Sequence, residues 1–254
     1  MEIKKISKKK NNLYQILLSD NTSLSFYDDT IIKYNLLVNK TFDDKTLQEM
    51  LAFNNESAAY YKALSYIKAK LRTKKEIEDK LKKLGYTNNV VLNTIKRLEN
   101  QKYLNDDIYI KAYISDQVNL TLKGPKKISQ ELIKLGFKEE IVNTYIDKYS
   151  NDLWKEKIIK IINKKIKSNH NLSKKMLINK IKSDLINLGY NLEMINKLLN
   201  NIDYQNDEEI LNKEINKAIK KCSKKYQGKD LELKVKMYLY SKGFDYNIDI
   251  NNYL

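Results

Sequence analysis

Histidine and cysteine, the side chains that most often carry catalysis near neutral pH, occur once each in 254 residues, as His170 and Cys222. His170 lies in the polar stretch Ser168-Asn169-His170-Asn171 and reads as a loop residue. Cys222 falls on the apolar side of a helical pattern and reads as a small packed hydrophobe rather than a reactive thiol. One of each builds neither a His-based acid–base or nucleophilic scheme nor a zinc site of familiar type. The six glycines are scattered singly, so no glycine-rich loop cradles a phosphate. An enzyme has no residues here to carry it, and no cofactor or metal is expected. The chemistry left is ionic: 48 Lys and Arg against 32 Asp and Glu give a net charge of +16. A surface of that sign attracts nucleic acid or an acidic protein face.

The charge is unevenly placed. Residues 1–56 hold 8 basic and 8 acidic residues, and residues 106–149 hold 7 of each. The excess sits at 57–105 (12 against 4), 150–204 (11 against 5) and, weakly, 205–254 (10 against 8). Lys, Asn, Ile and Tyr are what AT-rich codons specify, which accounts for part of the lysine count. Codon bias does not explain a neutral segment between two strongly basic ones. Lys157, Lys160, Lys164 and Lys167 fall within roughly 80° of one helix, with Ile159, Ile162 and Ile166 expected opposite. Lys213, Lys217, Lys220, Lys221 and Lys224 form a similar stripe, with Ile215, Ala218, Ile219 and Cys222 opposite. Such stripes track phosphates, and they are equally the plain solvent face of an amphipathic helix.

The elements that present these lysines repeat. Gly85, Gly136, Gly189 and Gly243 recur at spacings of 51, 53 and 54 residues, each closing a polar–apolar run and each followed by Tyr or Phe. A glycine just past a helix takes the left-handed backbone that satisfies the last carbonyls, and the aromatic after it packs back. A period of about fifty residues signals a repeat architecture. The expected fold is mostly α: tandem three-helix repeats forming a curved helical solenoid, with a small β-containing N-terminal lobe. The units expected are the lobe at 1–56 and repeats at 57–105, 106–149, 150–204 and 205–254, the last truncated with room for only a short third helix.

Within the lobe, Glu2–Ser7, Leu13–Leu18 and Ser23–Tyr27 read as strands. Asp28-Asp29 caps a short helix over Thr30–Tyr34, and Thr41–Asp44 caps another over Lys45–Phe53. The lobe is too small to stand alone and should lean on repeat one. In repeat one, Tyr60, Ala63, Leu64, Ile67 and Leu71 share a helical face. Thr73-Lys74-Lys75-Glu76 is a capping box for the second helix, and Asn88 or Asn89 caps the third, with Val91, Ile95 and Leu98 inward. In repeat two, Asp106 caps a helix carrying Tyr109, Ala112, Tyr113 and Leu120, and Pro125 opens the next. Tyr60, Tyr109 and Tyr113 read as core. Repeat three opens with a helix from about Asp152 to Ser168, Ser173 starts its second, and repeat four opens at Asp207. No apolar run approaches the eighteen or so residues of a membrane helix, and no apolar signal segment follows the basic Met1–Lys10. A cytoplasmic monomer is expected.

The repeats resemble the RecX regulatory proteins. Leu71-Arg72-Thr73-Lys74-Lys75-Glu76-Ile77, then Leu81-Lys82-Lys83-Leu84-Gly85-Tyr86, is similar to that family's first-repeat signature. Tyr103-Leu104-Asn105-Asp106-Asp107, with Tyr109 and Ala112, resembles its junction between repeats one and two. Lys123-Gly124-Pro125-Lys126-Lys127-Ile128, with Glu131-Leu132 and Gly136-Phe137, resembles its second repeat. Asp29, Ile32, Lys33 and Tyr34 after the meander resemble the extra lobe of longer members. The likeness is strong over 57–149, weaker but in register over 150–254, and looser over 1–56. Lys stands at many family-basic Arg positions and Asn105 where Asp also occurs, which keeps polarity but weakens bidentate contacts. The resemblance implies a curved, non-enzymatic modulator that lodges in the groove of the RecA–DNA filament and hinders its growth, ATP turnover and strand exchange. Contacts are then expected from Lys70, Arg72, Lys74, Lys75, Lys82 and Lys83 in repeat one and from Lys157, Lys160, Lys164 and Lys167 in repeat three. Repeat two is a neutral spacer apart from Lys123, Lys126 and Lys127. The other reading is a stand-alone basic helical-repeat binder of nucleic acid.

Overall fold

Three short antiparallel strands open the chain: β1 (Ile3–Lys8), β2 (Leu13–Leu18) and β3 (Ser23–Tyr27), with β2 in the middle. A computed structural model of the chain describes residues 1–202, 204, 207–250 and 253. Period-two alternation brings Ile3, Ile16, Leu18 and Phe26 together with Leu36 and Met50 in a small core. Asn11, Asn12 and Asn21 in the tight connections have positive φ, a conformation asparagine adopts more readily than most residues. From there on the described chain is helical. It divides into two compact units, Met1–Lys111 with Leu135–Phe137, and Ala112–Lys134 with Lys138–Leu254.

The first unit holds the sheet, α1 (Asp28–Lys33), α2 (Asp44–Ala69), α3 (Lys74–Lys83), α4 (Asn88–Asn100) and the start of α5 (Asp106–Leu120). The expected separate helix over Lys45–Phe53 does not end there. It runs on unbroken through the first helix of repeat one, so the 56/57 boundary falls inside α2. Asn54 does not break the helix because its side chain serves a neighbour. Its Oδ1 accepts from the Tyr27 N–H at 2.8 Å and the Thr30 hydroxyl at 3.1 Å, and its Nδ2 donates to the Ser25 carbonyl at 3.1 Å. The lobe does lean on repeat one. Tyr61 donates to Asp28 at 2.6 Å, and Arg97 reaches Asp29 at 2.6 Å.

Below the lobe, Ala59, Tyr60, Ala63, Ile77, Leu81, Val91, Ile95 and Leu98 form the repeat-one core. Leu71 is not part of it. Lys70 is already extended, and Leu71 is 51% exposed on the way to the Thr73 cap. The Thr73–Glu76 capping box forms as expected, with both reciprocal bonds present. At α4 the N-cap position is Thr87 rather than Asn88 or Asn89, which lie in the first turn. At α5 the capping side chain is Asn105, whose Oδ1 accepts from the Ile108 N–H at 3.1 Å, so Asp106 is the first helical residue.

The second unit holds the remainder of α5, then α6 (Pro125–Lys134), α7 (Glu139–Ile146), α8 (Asn151–Lys167), α9 (Lys174–Asn187), α10 (Leu192–Leu199), α11 (Asp207–Cys222) and α12 (Gly228–Ser241). On α5 the buried residues are Ile110, Ile114 and Val118, spaced i, i+4, i+8. Tyr109 and Tyr113 are only half-buried, contrary to expectation, because the β-branched side chains take the inner face, and Leu120 is 80% exposed. Ser150 and Ser173 cap α8 and α9 through their hydroxyls. The expected boundary between the third and fourth repeats, at 204/205, lies among residues 203–206, of which only Tyr204 is described. Turns lie at 242–243 and 246–247. Tyr253 is in a 3₁₀ turn, and residues 251, 252 and 254 of the expected short third helix lie outside the description.

The repeated glycines do what their spacing implies. Gly85, Gly136, Gly189 and Gly243 have φ of 87°, 99°, 87° and 86° just past α3, α6, α9 and α12. After α9, the Gly189 N–H donates to the Ile186 carbonyl at 2.9 Å and the Tyr190 N–H to the Leu185 carbonyl at 3.1 Å. The same pair of bonds follows α3 and α12. Gly189 also joins two helices. The Gly124 N–H donates to the Leu188 carbonyl at 2.7 Å and the Lys126 N–H to the Gly189 carbonyl at 3.1 Å. The negative end of α9 thus meets the positive end of α6. One unit further on, the Ser173 hydroxyl donates to the Lys242 carbonyl at 2.7 Å, between α12 and α9.

Candidate functional site

The thirteen expected contact residues sort into two groups once their partners are known. In the first unit, Arg72 is part of the packing. Its side chain is 12% exposed, pairs with Glu76 at 3.0 Å, and lies 3.6 Å over the Tyr66 ring. Its guanidinium is engaged by these two partners inside the first unit, just past the extended Lys70. Lys74 bridges Glu99 at 2.6 Å and Asp106 at 3.1 Å, and these bonds raise its pKa against the opposing effect of burial. Lys82 pairs with Glu78 at 2.6 Å, one turn earlier on α3. Lys75 packs along Gly136, whose added Cβ would lie 3.1 Å from its own. Lys70 and Lys83 are exposed and have no polar side-chain partner among the described residues.

In the second unit, Lys123 pairs with Glu131 at 2.7 Å, and Glu131 also accepts from Tyr113 at 2.8 Å. Burial pushes the Glu131 carboxyl up, but Lys123 and Tyr113 outweigh it and hold the group below its ordinary range. Lys127 is half-buried, with its backbone beneath Gly189, and Lys126 is exposed. On α8, Lys157 donates to the Thr121 carbonyl at 2.8 Å. Desolvation, with the neighbouring Lys160 charge, pulls its ammonium below the usual lysine value. Lys160, Lys164 and Lys167 are exposed and carry no acidic partner among the described residues. The buried face of α8 is Trp154, Ile158, Ile161 and Ile162. Ile159, expected opposite the lysines, is 42% exposed, since at 100° per residue it falls outside the arc that those four residues bury.

The stripe of α11 is also mixed. Lys217 pairs at 2.5 Å with Glu214, which is buried and accepts a second bond from Tyr238 at 3.1 Å. Burial raises the Glu214 carboxyl and the two bonds lower it, with a net shift downward. Ile215 and Ala218 are buried as expected, and Cys222 is half-buried.

The family model for the RecX first three-helix domain matches residues 59–98. Over its whole length the chain resembles the Regulatory protein RecX of Listeria innocua, with 30% identity covering 98% of this chain and 93% of that one. The chain belongs to the RecX family. The RecX regulatory protein of Bacillus subtilis is 28% identical over 97% of the chain. A crystal structure of RecX matches at a TM-score of 0.68 with 23% identity, covering 76% of this chain and 96% of that one. The RecX structure from Lactobacillus salivarius matches at 0.54 with 30% identity, covering 57% and 95%. Both place the helical-repeat body among known RecX folds.

What sequence reasoning missed in this RecX-family chain is the role of its second arginine. Arg97 lies 3.6 Å over the Tyr60 ring while bonding Asp29 of the lobe, so a cation joins repeat to lobe. Arginine's rarity, two against 46 lysines, was the available signal: a planar cation retained there suits stacking and directed pairing. Both arginines turn out to lie on tyrosine faces.

Proposed function

We propose that the protein regulates the RecA recombinase by binding the RecA–DNA filament, where it slows ATP turnover and strand exchange in recombination and DNA repair. The observation that carries this reading is the full-length likeness to proteins named Regulatory protein RecX. The lysines that are exposed and without a partner among the described residues supply the contacts: Lys70 and Lys83 in one unit, Lys126, Lys160, Lys164 and Lys167 in the other. A polyanionic filament is met by several such charges, each contributing modestly. Binding of this kind needs no chemistry of the protein's own. It acts as a cytoplasmic monomer built of a lobe and four repeats, and meets DNA directly or through the filament. The test is RecA-dependent ATP hydrolysis on single-stranded DNA with increasing amounts of the protein. Turnover should fall as the ratio approaches equimolar, and unchanged turnover there removes the reading.

The second reading, a stand-alone binder of nucleic acid, is favoured by Lys160, Lys164 and Lys167 of α8, unpaired among the described residues. The two separate by salt. A plain DNA binder loses affinity steeply with salt and needs no partner. A filament regulator acts at concentrations where its own DNA binding is slight.

A further inference from the structure

An open cleft of about 680 Å³ lies in the first unit, between the β1–β2 turn and the flank of α2. Its lining includes three tyrosines and two lysines beside aliphatic and small polar residues. Tyr27 and Tyr61 stack there with centroids 4.9 Å apart and planes 15° from parallel. Tyr103 also lines the cleft and is 50% exposed. Lys62 and Lys68 extend from α2 beside these rings, exposed and without an acidic partner among the described residues.

The β1–β2 turn adds to this charge. Lys8 at the end of β1 and Lys9 and Lys10 after it are all exposed, and the turn ends in the two left-handed asparagines, Asn11 and Asn12, that line the cleft. No aspartate or glutamate is among its lining residues. Asp28, which bonds to two of those residues, is engaged by the Tyr61 hydroxyl and the Asn12 amide, both at 2.6 Å. The zero balance of residues 1–56 conceals this arrangement, because five of its eight lysines fall within the first ten residues.

Aromatic faces between basic walls match unpaired nucleotides, whose bases stack on the rings while the phosphates meet the lysines. A duplex keeps its base faces inside its own stack and leaves the rings unused. An acidic peptide would use the lysines and leave the rings unused. We propose that this cleft binds single-stranded DNA, with bases against Tyr103 and the Tyr27–Tyr61 pair and phosphates against Lys62, Lys68 and the Lys8–Lys10 run. The inference stands apart from the filament reading. It is measured without recombinase, so its outcome is distinct from that of the ATPase assay.

The test is fluorescence anisotropy of the full chain with labelled oligo-dT of about 15 nucleotides. Tyr103→Ala should weaken binding about tenfold, and Tyr103→Trp should retain it, which separates a stacking ring from a fold defect. Lys62→Glu with Lys68→Glu should weaken it further and flatten the salt dependence. Oligo-dT carrying 5-iododeoxyuridine should crosslink to Tyr103 or Tyr61. Wild-type affinity in both the Tyr103→Ala protein and the double reversal, with crosslinks outside the cleft, overturns the proposal. So does tighter capture of oligo-rU than of oligo-dT, which assigns the cleft to RNA. Equal competition by a poly-glutamate peptide or by duplex DNA removes the stacking role and overturns it as well.

Discussion

Lys157 and Lys160 lie three residues apart on α8, yet only one has its charge committed to the fold. Lys157 donates to the Thr121 carbonyl and is half-buried, while Lys160 extends into solvent. Replacing Lys157 by Met should cost on the order of 1 kcal/mol in urea unfolding, the loss of a charged hydrogen bond. Lys160→Met should stay within about 0.5 kcal/mol. Equal effects would mean that the Thr121 contact contributes nothing. Glu131 gives the second prediction at this scale. The unfolded chain takes up a proton near 4.5, while the folded carboxylate, held by Lys123 and Tyr113 against its burial, resists to lower pH. That stabilisation is therefore fully present above 4.5 and is lost as the pH falls through the lowered folded value. Lys123→Met should be less stable than the parent at neutral pH, and the gap should narrow as the pH falls below 4.5 and through the lowered folded value. A gap independent of pH would place the effect of Lys123 in packing alone.

At the scale of elements, the same residue type in the same conformation has different costs according to what surrounds it. Gly85 and Gly189 share a φ of 87°, so an alanine at either position meets the left-handed penalty of about 1–2 kcal/mol. Around Gly85 a Cβ finds open space. At Gly189 it would lie 2.3 Å from the Lys127 nitrogen and 2.7 Å from the Lys127 Cβ, in the seam where α9 meets α6. Gly189→Ala should therefore be worse than Gly85→Ala by roughly a further 1–3 kcal/mol, the cost of overpacking against backbone. Matching melting shifts for the two would show that the seam relaxes freely. The glycine period itself was legible because a helix stop is local, written in one residue and its aromatic successor. The capping box at Thr73 and the helix start at Ser173 were legible for the same reason. The continuity of α2 was not, because a helix expected to stop at Phe53 runs on through Asn54, whose side chain is held by Tyr27 and Thr30 far away in sequence. The inner face of α5 was misread because tyrosines and isoleucines interleave there, and only packing decides which of them turns in.

At the scale of the whole molecule, net charge overstates what is available to a partner. Arg72 is folded into the packing and Lys74, Lys82, Lys123 and Lys217 are tied to carboxylates, so the charge free to act is concentrated elsewhere. Counting lysines along the chain located the basic segments, but it did not separate committed from uncommitted charges, because pairing depends on which helices meet. The free set on α8, Lys160, Lys164 and Lys167, provides the sharpest test of the filament reading. Their joint reversal to Glu should leave helicity and melting nearly unchanged, since the buried face of that helix is formed by Trp154, Ile158, Ile161 and Ile162. It should raise the concentration needed to slow RecA turnover. It should also lower the magnitude of the slope of log affinity for single-stranded DNA against log salt by about 2 if all three meet phosphates. These two readouts divide the mechanisms. A loss of regulation with an unchanged slope places the stripe against the recombinase, and a fall in both places it against the DNA the filament encloses. If the triple reversal regulates at the parent concentration with the parent slope, the stripe is a solvated helix face. The contacts would then fall to Lys70, Lys83 and Lys126, the other expected contact residues left exposed and unpaired among the described residues.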